Sequence, residues 1–176
     1  MDNECALTGT PGVGKTTVSE LLKEEGYEVL DLNRFIREKD LLEDEDAERG
    51  SFNVDTKRLR EVFLEEGLEH DIVEGHLSHH LKLSPTIVLR CSPTELKKRM
   101  KEKGWSGRKV QENAEAEALD VILVEALEAC DEVYEVDTTE RTPQEVADRV
   151  KDIFKGETEN YIPGSIDWAE EYLDKL

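Results

Sequence analysis

Positive charge is scarce in this chain: 23 Lys and Arg stand against 43 Asp and Glu among 176 residues, a formal charge of −20. So acidic a surface repels a phosphate backbone over most of its area. That argues against a broad nucleic-acid surface and suits a basic protein partner. The excess lies in 29 Glu and 14 Asp, with only 13 Lys. Heat-adapted proteins raise Lys along with Glu; acid without Lys fits a salt-rich cytosol, where self-repulsion is screened. Cysteine is scarce too. Cys5, Cys91 and Cys130 are odd in number, far apart and in no C-x-x-C pair. They read as small buried thiols of a reduced cytosol, which leaves no disulfide frame and no cysteine metal site. No apolar run nears the ~18 residues of a membrane span, and no basic-then-apolar leader is seen, so a cytoplasmic chain without membrane contact is expected. Repeats and low-complexity linkers are missing as well. One domain is expected over residues 1–176, since domains run about 100–200 residues.

What is present begins with short apolar segments separated by helical stretches: Cys5–Thr8, Tyr27–Asp31, Asp71–Glu74, Thr86–Cys91 and Glu132–Asp137. Ile87-Val88-Leu89 is continuous, as in a strand buried on both faces. Five strands alternating with helices predict an α/β fold, a five-stranded parallel sheet with helices on both faces. Ser92-Pro93-Thr94-Glu95 and Thr142-Pro143-Gln144-Glu145 both spell a capping box with proline at the first helical position. Asp55 predicts the cap of a helix from Thr56 to Glu66, ended by Gly67. The charged stretch from Arg37 to Gly50 breaks the pattern. It reads either as a solvated surface loop or as a mobile segment beside a substrate. After Gly156, the aromatics Tyr161, Trp168 and Tyr172 predict a segment docked on the body, with Asp167 capping a last helix.

The strongest chemical signal is Gly9-Thr-Pro-Gly-Val-Gly-Lys-Thr-Thr17, which fits G-x-x-x-x-G-K-[ST] between a predicted strand and a predicted helix. Backbone N–H groups at that helix start can hold phosphate oxygens. Lys15 can reach the β- and γ-phosphates, and the Thr16 hydroxyl can sit on Mg²⁺. A second signal is an island of positive charge: Lys97, Lys98, Arg99, Lys101, Lys103, Arg108 and Lys109. Arg99 and Lys103 share a helix face, and Gly104 and Gly107 open a short hinge. Two helices joined this way form a lid whose cations can meet the charge on a transferring phosphoryl group. The third signal is Glu74-Gly75-His76. Glu74, at a strand end, can serve the Mg²⁺ shell opposite Thr16; His76 either orients a water or phosphate or is merely structural. His79 and His80 read as surface or hinge residues, because no third ligand accompanies them at metal-site spacing. Arg37 is the foremost candidate for clamping a second, phosphorylated substrate; Arg58 and Arg60 read as surface charges. No N-K-x-D guanine motif follows a strand, and the chain is short for a ring ATPase module with its accessory helical domain.

With Leu7–Thr17, Glu74–His76, Leu89-Arg90 and Lys103-Gly-Trp-Ser-x-x-Lys-Val-x-Glu-Asn113 in hand, the chain resembles the adenylate kinase isoenzyme 6 family in its archaeal branch. The resemblance implies a P-loop NTPase three-layer sandwich with a monophosphate-binding segment at about 30–53, a short lid at about 102–112 and a C-terminal segment at 156–176. It implies a nucleoside monophosphate kinase turning Mg²⁺-ATP and AMP into two ADP, with a slower ATPase activity. It also implies a role in small ribosomal subunit maturation through a basic platform protein. Gly9, Gly12, Val13, Gly14, Lys15, Thr16 and Thr17 would hold ATP, helped by Lys103, Arg108 and Arg37. Lys15, His76, Lys103 and Arg99 would be catalytic, and Thr16 and Glu74 would serve the metal. The family usually has Asp where Glu74 stands and Arg where Lys103 stands; Lys keeps the charge but loses the two-pronged contact. Two other readings stay open: a different small-molecule kinase of this architecture, and an assembly ATPase whose kinase activity is incidental.

Overall fold

All five apolar segments form strands in a computed structural model that describes residues 4–43, 45–46, 51–169 and 172. In chain order the elements are β1 (Cys5–Gly9), α1 (Lys15–Glu24), β2 (Val29–Asp31), α2 (Leu32–Glu38), β3 (Glu45–Asp46), β4 (Ser51–Phe52), α3 (Thr56–Glu66) and β5 (Ile72–Glu74). A 3₁₀ turn (Ser78–Leu81) follows, then β6 (Thr86–Arg90), α4 (Pro93–Glu102), α5 (Gly107–Ala118), α6 (Val121–Ala129), β7 (Val133–Asp137) and α7 (Pro143–Phe154).

The main sheet runs β2-β5-β1-β6-β7, with every neighbour parallel. The side chains sort by strand period. Cys5, Leu7, Ile72, Ile87 and Leu89 face Val18, Leu22, Leu96, Val146 and Val150 of α1, α4 and α7. Val73 faces the opposite way, onto Leu32, Leu59 and Phe63 of α2 and α3, and Val88 packs with Leu123 and Ala126 of α6. Each such aliphatic chain taken fully from water contributes about 1.5–3 kcal/mol, so the sheet is held from both faces. β1 lies at its centre, and the chain leaves it first to one side and later to the other. That reversal opens a crevice at the carboxyl ends of the strands, the usual ligand position in such sheets.

Helix starts follow the caps. Asp55 accepts from the N–H groups of Lys57 and Arg58 at 2.9 and 3.1 Å, and Gly67 ends α3 with φ 56°. At Thr142 the capping box is complete. At Ser92 only half of it forms: the Ser92 hydroxyl accepts from the Glu95 N–H. Its own N–H donates to Thr139 Oγ1 at 2.9 Å, which frees the Glu95 carboxylate to pair with Arg99 at 3.1 Å.

The charged stretch after Arg37 is not one continuous loop. α2 runs on to Glu38, and β3 and β4 pair antiparallel; residues 44 and 47–50 lie outside the described set. The C-terminal segment docks. The Glu135 N–H donates to the Tyr161 carbonyl at 2.8 Å, Gln111 donates to the Tyr172 hydroxyl at 2.6 Å, and Asp167 accepts from the Ala169 N–H at 2.8 Å. Cys5 and Cys91 are buried and all three cysteines are free thiols. Among the described residues, no helix is long and apolar enough to cross a membrane.

Candidate active site

The loop between β1 and α1 is shaped by glycine. Gly9 turns with φ 138° so close to β6 that a Cβ there would stand 2.4 Å from the Leu89 carbonyl oxygen. Gly14 takes the left-handed conformation at the N-cap of α1 and no side chain caps it. The first N–H groups of α1 therefore point out of the loop, where anionic oxygens are favoured. Lys15 is 8% exposed and donates to the carbonyls of Gly9 and Thr10 at 2.6 and 3.1 Å. Burial pushes its ammonium down to about 8, although Glu74 and Glu117 pull it upward.

Glu74 ends β5 beside Leu7 of β1 and is 4% exposed. Burial raises its carboxyl above the ordinary range, against the pull of Lys15 and a hydrogen bond with Thr16. A buried carboxylate joined to the phosphate-loop hydroxyl is an oxygen-donor set suited to Mg²⁺. His76 follows at the cleft wall. Burial, then the nearby cations Lys15 and Lys109, drives its imidazole down to about 4, so it is uncharged at neutral pH. His79 is not at the surface. It is fully buried, with Nδ1 3.0 Å from Thr8 Oγ1.

A buried charge line stands behind the loop. The Arg90 side chain, 1% exposed, donates to Glu117 at 2.9 Å and to Glu135 at 3.1 Å, and also pairs with Asp120. Glu117 takes the Thr10 hydroxyl on its other oxygen and the Cys91 N–H at 3.1 Å. Glu135 in turn accepts the N–H groups of Gly164, Ser165 and Ile166 at 2.9–3.2 Å. The phosphate loop is thus tied through α5, β6 and β7 to the C-terminal segment. No role for Thr10, Arg90 or Glu117 follows from sequence chemistry alone, but an Arg closing an apolar buried strand demands such a partner.

Two cavities flank the loop. One, of about 360 Å³, is lined by Gly12, Val13, Gly14 and Thr17 with Arg99, Lys103 and Arg141. The other, of about 720 Å³, lies across Thr10 and Pro11 and is lined by Asn33, Arg37, His76, Trp105, Lys109 and Glu125 among others. The residues singled out by sequence divide between them. Lys103, at the end of α4, joins the first and Arg37 the second. Arg99 lines the first but is committed to the fold: it donates to the carbonyls of Val13, Thr138 and Thr139 at 3.3, 2.7 and 3.0 Å. Arg108 pairs with Glu112 at 3.0 Å and lines neither cavity. Its neighbour Lys109, held 4.5 Å over the Trp105 ring, lines the larger one. A short turn joins α4 and α5, with Gly104 at φ 75° and Ser106 capping α5, so that Gly107 is the first residue of the helix and not part of the turn.

Comparison with known proteins agrees with this architecture. A family model described as "AAA domain" matches residues 6–120, from β1 to the end of α5. The chain is 48% identical over 174 residues to the "Putative adenylate kinase" of Archaeoglobus fulgidus, covering 97% of this chain and 94% of that protein. It is 44% identical to the protein of the same name from Thermococcus kodakarensis, covering 97% and 96%. Among solved structures, shikimate kinase from Bacteroides thetaiotaomicron superposes with a TM-score of 0.59 at 18% identity, over 87% of this chain and 98% of that one; at that identity the likeness is one of fold. The chain belongs to the archaeal adenylate kinase family, on a P-loop kinase fold.

Proposed function

We propose that this protein transfers the γ-phosphoryl group of Mg²⁺-ATP to a nucleoside monophosphate, with AMP as the acceptor, and hydrolyses ATP more slowly. The observation that carries this reading is the pair of cavities on either side of one phosphate loop, each reached by cations. A hydrolase needs one nucleotide pocket; a phosphotransferase needs two that meet at the γ-phosphate.

The smaller cavity takes the ATP, its phosphates running along Gly12 to Thr17 onto the open N–H groups of α1. Lys15 gives up its carbonyl contacts to the phosphate oxygens. Thr16 and Glu74 would hold Mg²⁺, which neutralises phosphate charge when bound. The larger cavity takes the monophosphate, with Arg37 facing its phosphate and Trp105 offering a face to its base. Lys103 and Lys109 stand on the two helices of the hinge, so closure brings positive charge from both sides and excludes water. Uncharged His76 orients the acceptor oxygen and is not an acid at neutral pH. Little covalent work is required of the protein; position and charge supply the acceleration.

A second reading, an assembly ATPase acting on a basic ribosomal protein of the small-subunit platform, is favoured by the charge of −20. Product analysis separates the two: ATP alone, ATP with AMP, and each with that basic protein. A kinase makes two ADP per AMP consumed. His76→Ala adds a second discriminator, because loss of hydrolysis with AMP phosphorylation intact would mean that hydrolysis has its own machinery.

A further inference from the structure

The fold supplies what the spacing of His79 and His80 lacks. α6 crosses over the 3₁₀ turn and delivers Glu125, so that one ligand atom each from His79, His80 and Glu125 lie within 4.8 Å of one another. We propose that these three side chains form a binding site for a divalent transition-metal ion of the zinc, cobalt or nickel type, separate from the Mg²⁺ position at Thr16 and Glu74.

The contacts of His79 suit an ion in either tautomer. The Thr8 hydroxyl has one proton and two partners, the His76 carbonyl oxygen at 3.3 Å and His79 Nδ1 at 3.0 Å. When that proton goes to the carbonyl, the His79 Nδ1–H donates to Thr8 Oγ1. The neutral ring carries no proton on its other nitrogen, yet Nε2 stands 3.2 Å from Glu125 Oε2. Two lone pairs facing each other at that distance repel; a cation between them attracts both. In the other tautomer the Thr8 proton goes to Nδ1 and Nε2–H donates to Glu125, and an arriving metal ion takes the place of that Nε2 proton.

The geometry fits the same ion. With bonds of about 2.0–2.1 Å, tetrahedral ligand atoms stand roughly 3.3 Å apart, close to the 3.2 Å observed between His79 and Glu125. The His79 and His80 rings lie 4.0 Å apart at 41°, although consecutive residues of a 3₁₀ turn point about 120° apart. Two imidazoles and one carboxylate select borderline ions over Mg²⁺, which takes oxygen donors, and they leave a fourth position open. Thr8 is the outer partner that fixes the ring. The site is also pre-built. Cys130 Sγ donates to the His79 carbonyl at 3.2 Å, holding the turn against the end of α6. Entry is from the Glu125 side, whose side chain is 47% exposed. Glu125 and His76 both line the larger cavity, so the ion would brace the wall of the acceptor cleft.

The test is a titration of the untagged full chain with Co²⁺, and with Zn²⁺ in competition, under excess Mg²⁺. The expected result is one equivalent bound with the visible absorption of a four-coordinate cobalt site. His80→Ala and Glu125→Gln should each weaken binding by at least about tenfold, with unchanged circular dichroism in chelator. Thr16→Ala should leave Co²⁺ affinity as in the wild type, because the two sites share no residue. Glu125→Gln changes one half-exposed group, so it carries the test if His80→Ala does not fold. Failure to bind Co²⁺ stoichiometrically, or equal affinity in the wild type and Glu125→Gln, would overturn the proposal.

Discussion

Lys15 gives nucleotide binding a pH dependence of definite sign. Burial lowers its free-state value from 10.5 to about 8, so the free protein loses this charge in a range where ATP is already fully ionised. Phosphate oxygens favour the charged form, and binding therefore takes up a proton wherever free Lys15 has lost one. With a midpoint of about 8 the neutral fraction is about a tenth at pH 7 and about nine-tenths at pH 9. Affinity then falls about tenfold from pH 7 to pH 9, or ~1.4 kcal/mol, and levels off below pH 7. Calorimetric titration with ATP at constant ionic strength reads this directly. Lys15→Arg, always charged, should bind more weakly but with no slope. For the unliganded fold, the folded value lies below the unfolded one, so this group's contribution to stability rises with pH between about 8 and 10.5. A flat wild-type affinity from pH 7 to 9, or the same slope in Lys15→Arg, would refute the reasoning.

Arg90→Met leaves Glu117 and Glu135 buried without their cation and should cost about 3–5 kcal/mol, read by urea unfolding. His76, held down to about 4 by burial, should add no step to the rate profile between pH 5.5 and 7.5. His76→Ala should lower the rate without changing the profile's shape over that interval. The charge of −20 predicts a thermal midpoint that rises from low to molar salt as self-repulsion is screened; a midpoint that stays level would remove the argument for a salt-rich cytosol.

The sheet was legible because its strands are short apolar runs ended by caps, and all five appear with bounds shifted by at most two residues. The phosphate loop was legible because each of its glycines answers a backbone need, as Gly9 shows against Leu89. What stayed hidden depends on contacts far apart in the chain. The Arg90–Glu117 pair joins residues 27 apart and the His79–Glu125 contact residues 46 apart, and no local period encodes either. Spacing rules look along the sequence, whereas Glu125 reaches His79 across it. Arg99 is a related case: sequence shows a cation next to a phosphate loop, and only the fold shows its donors resting on the carbonyls of Val13, Thr138 and Thr139.

In the proposed reaction two substrates meet across one phosphate loop. It is tested most directly by following ATP and AMP together at a fixed concentration of protein and Mg²⁺. AMP should disappear one for one with ATP, two ADP should appear for each, and Lys15→Ala should abolish the conversion. ATP loss with release of inorganic phosphate and AMP unchanged would contradict it.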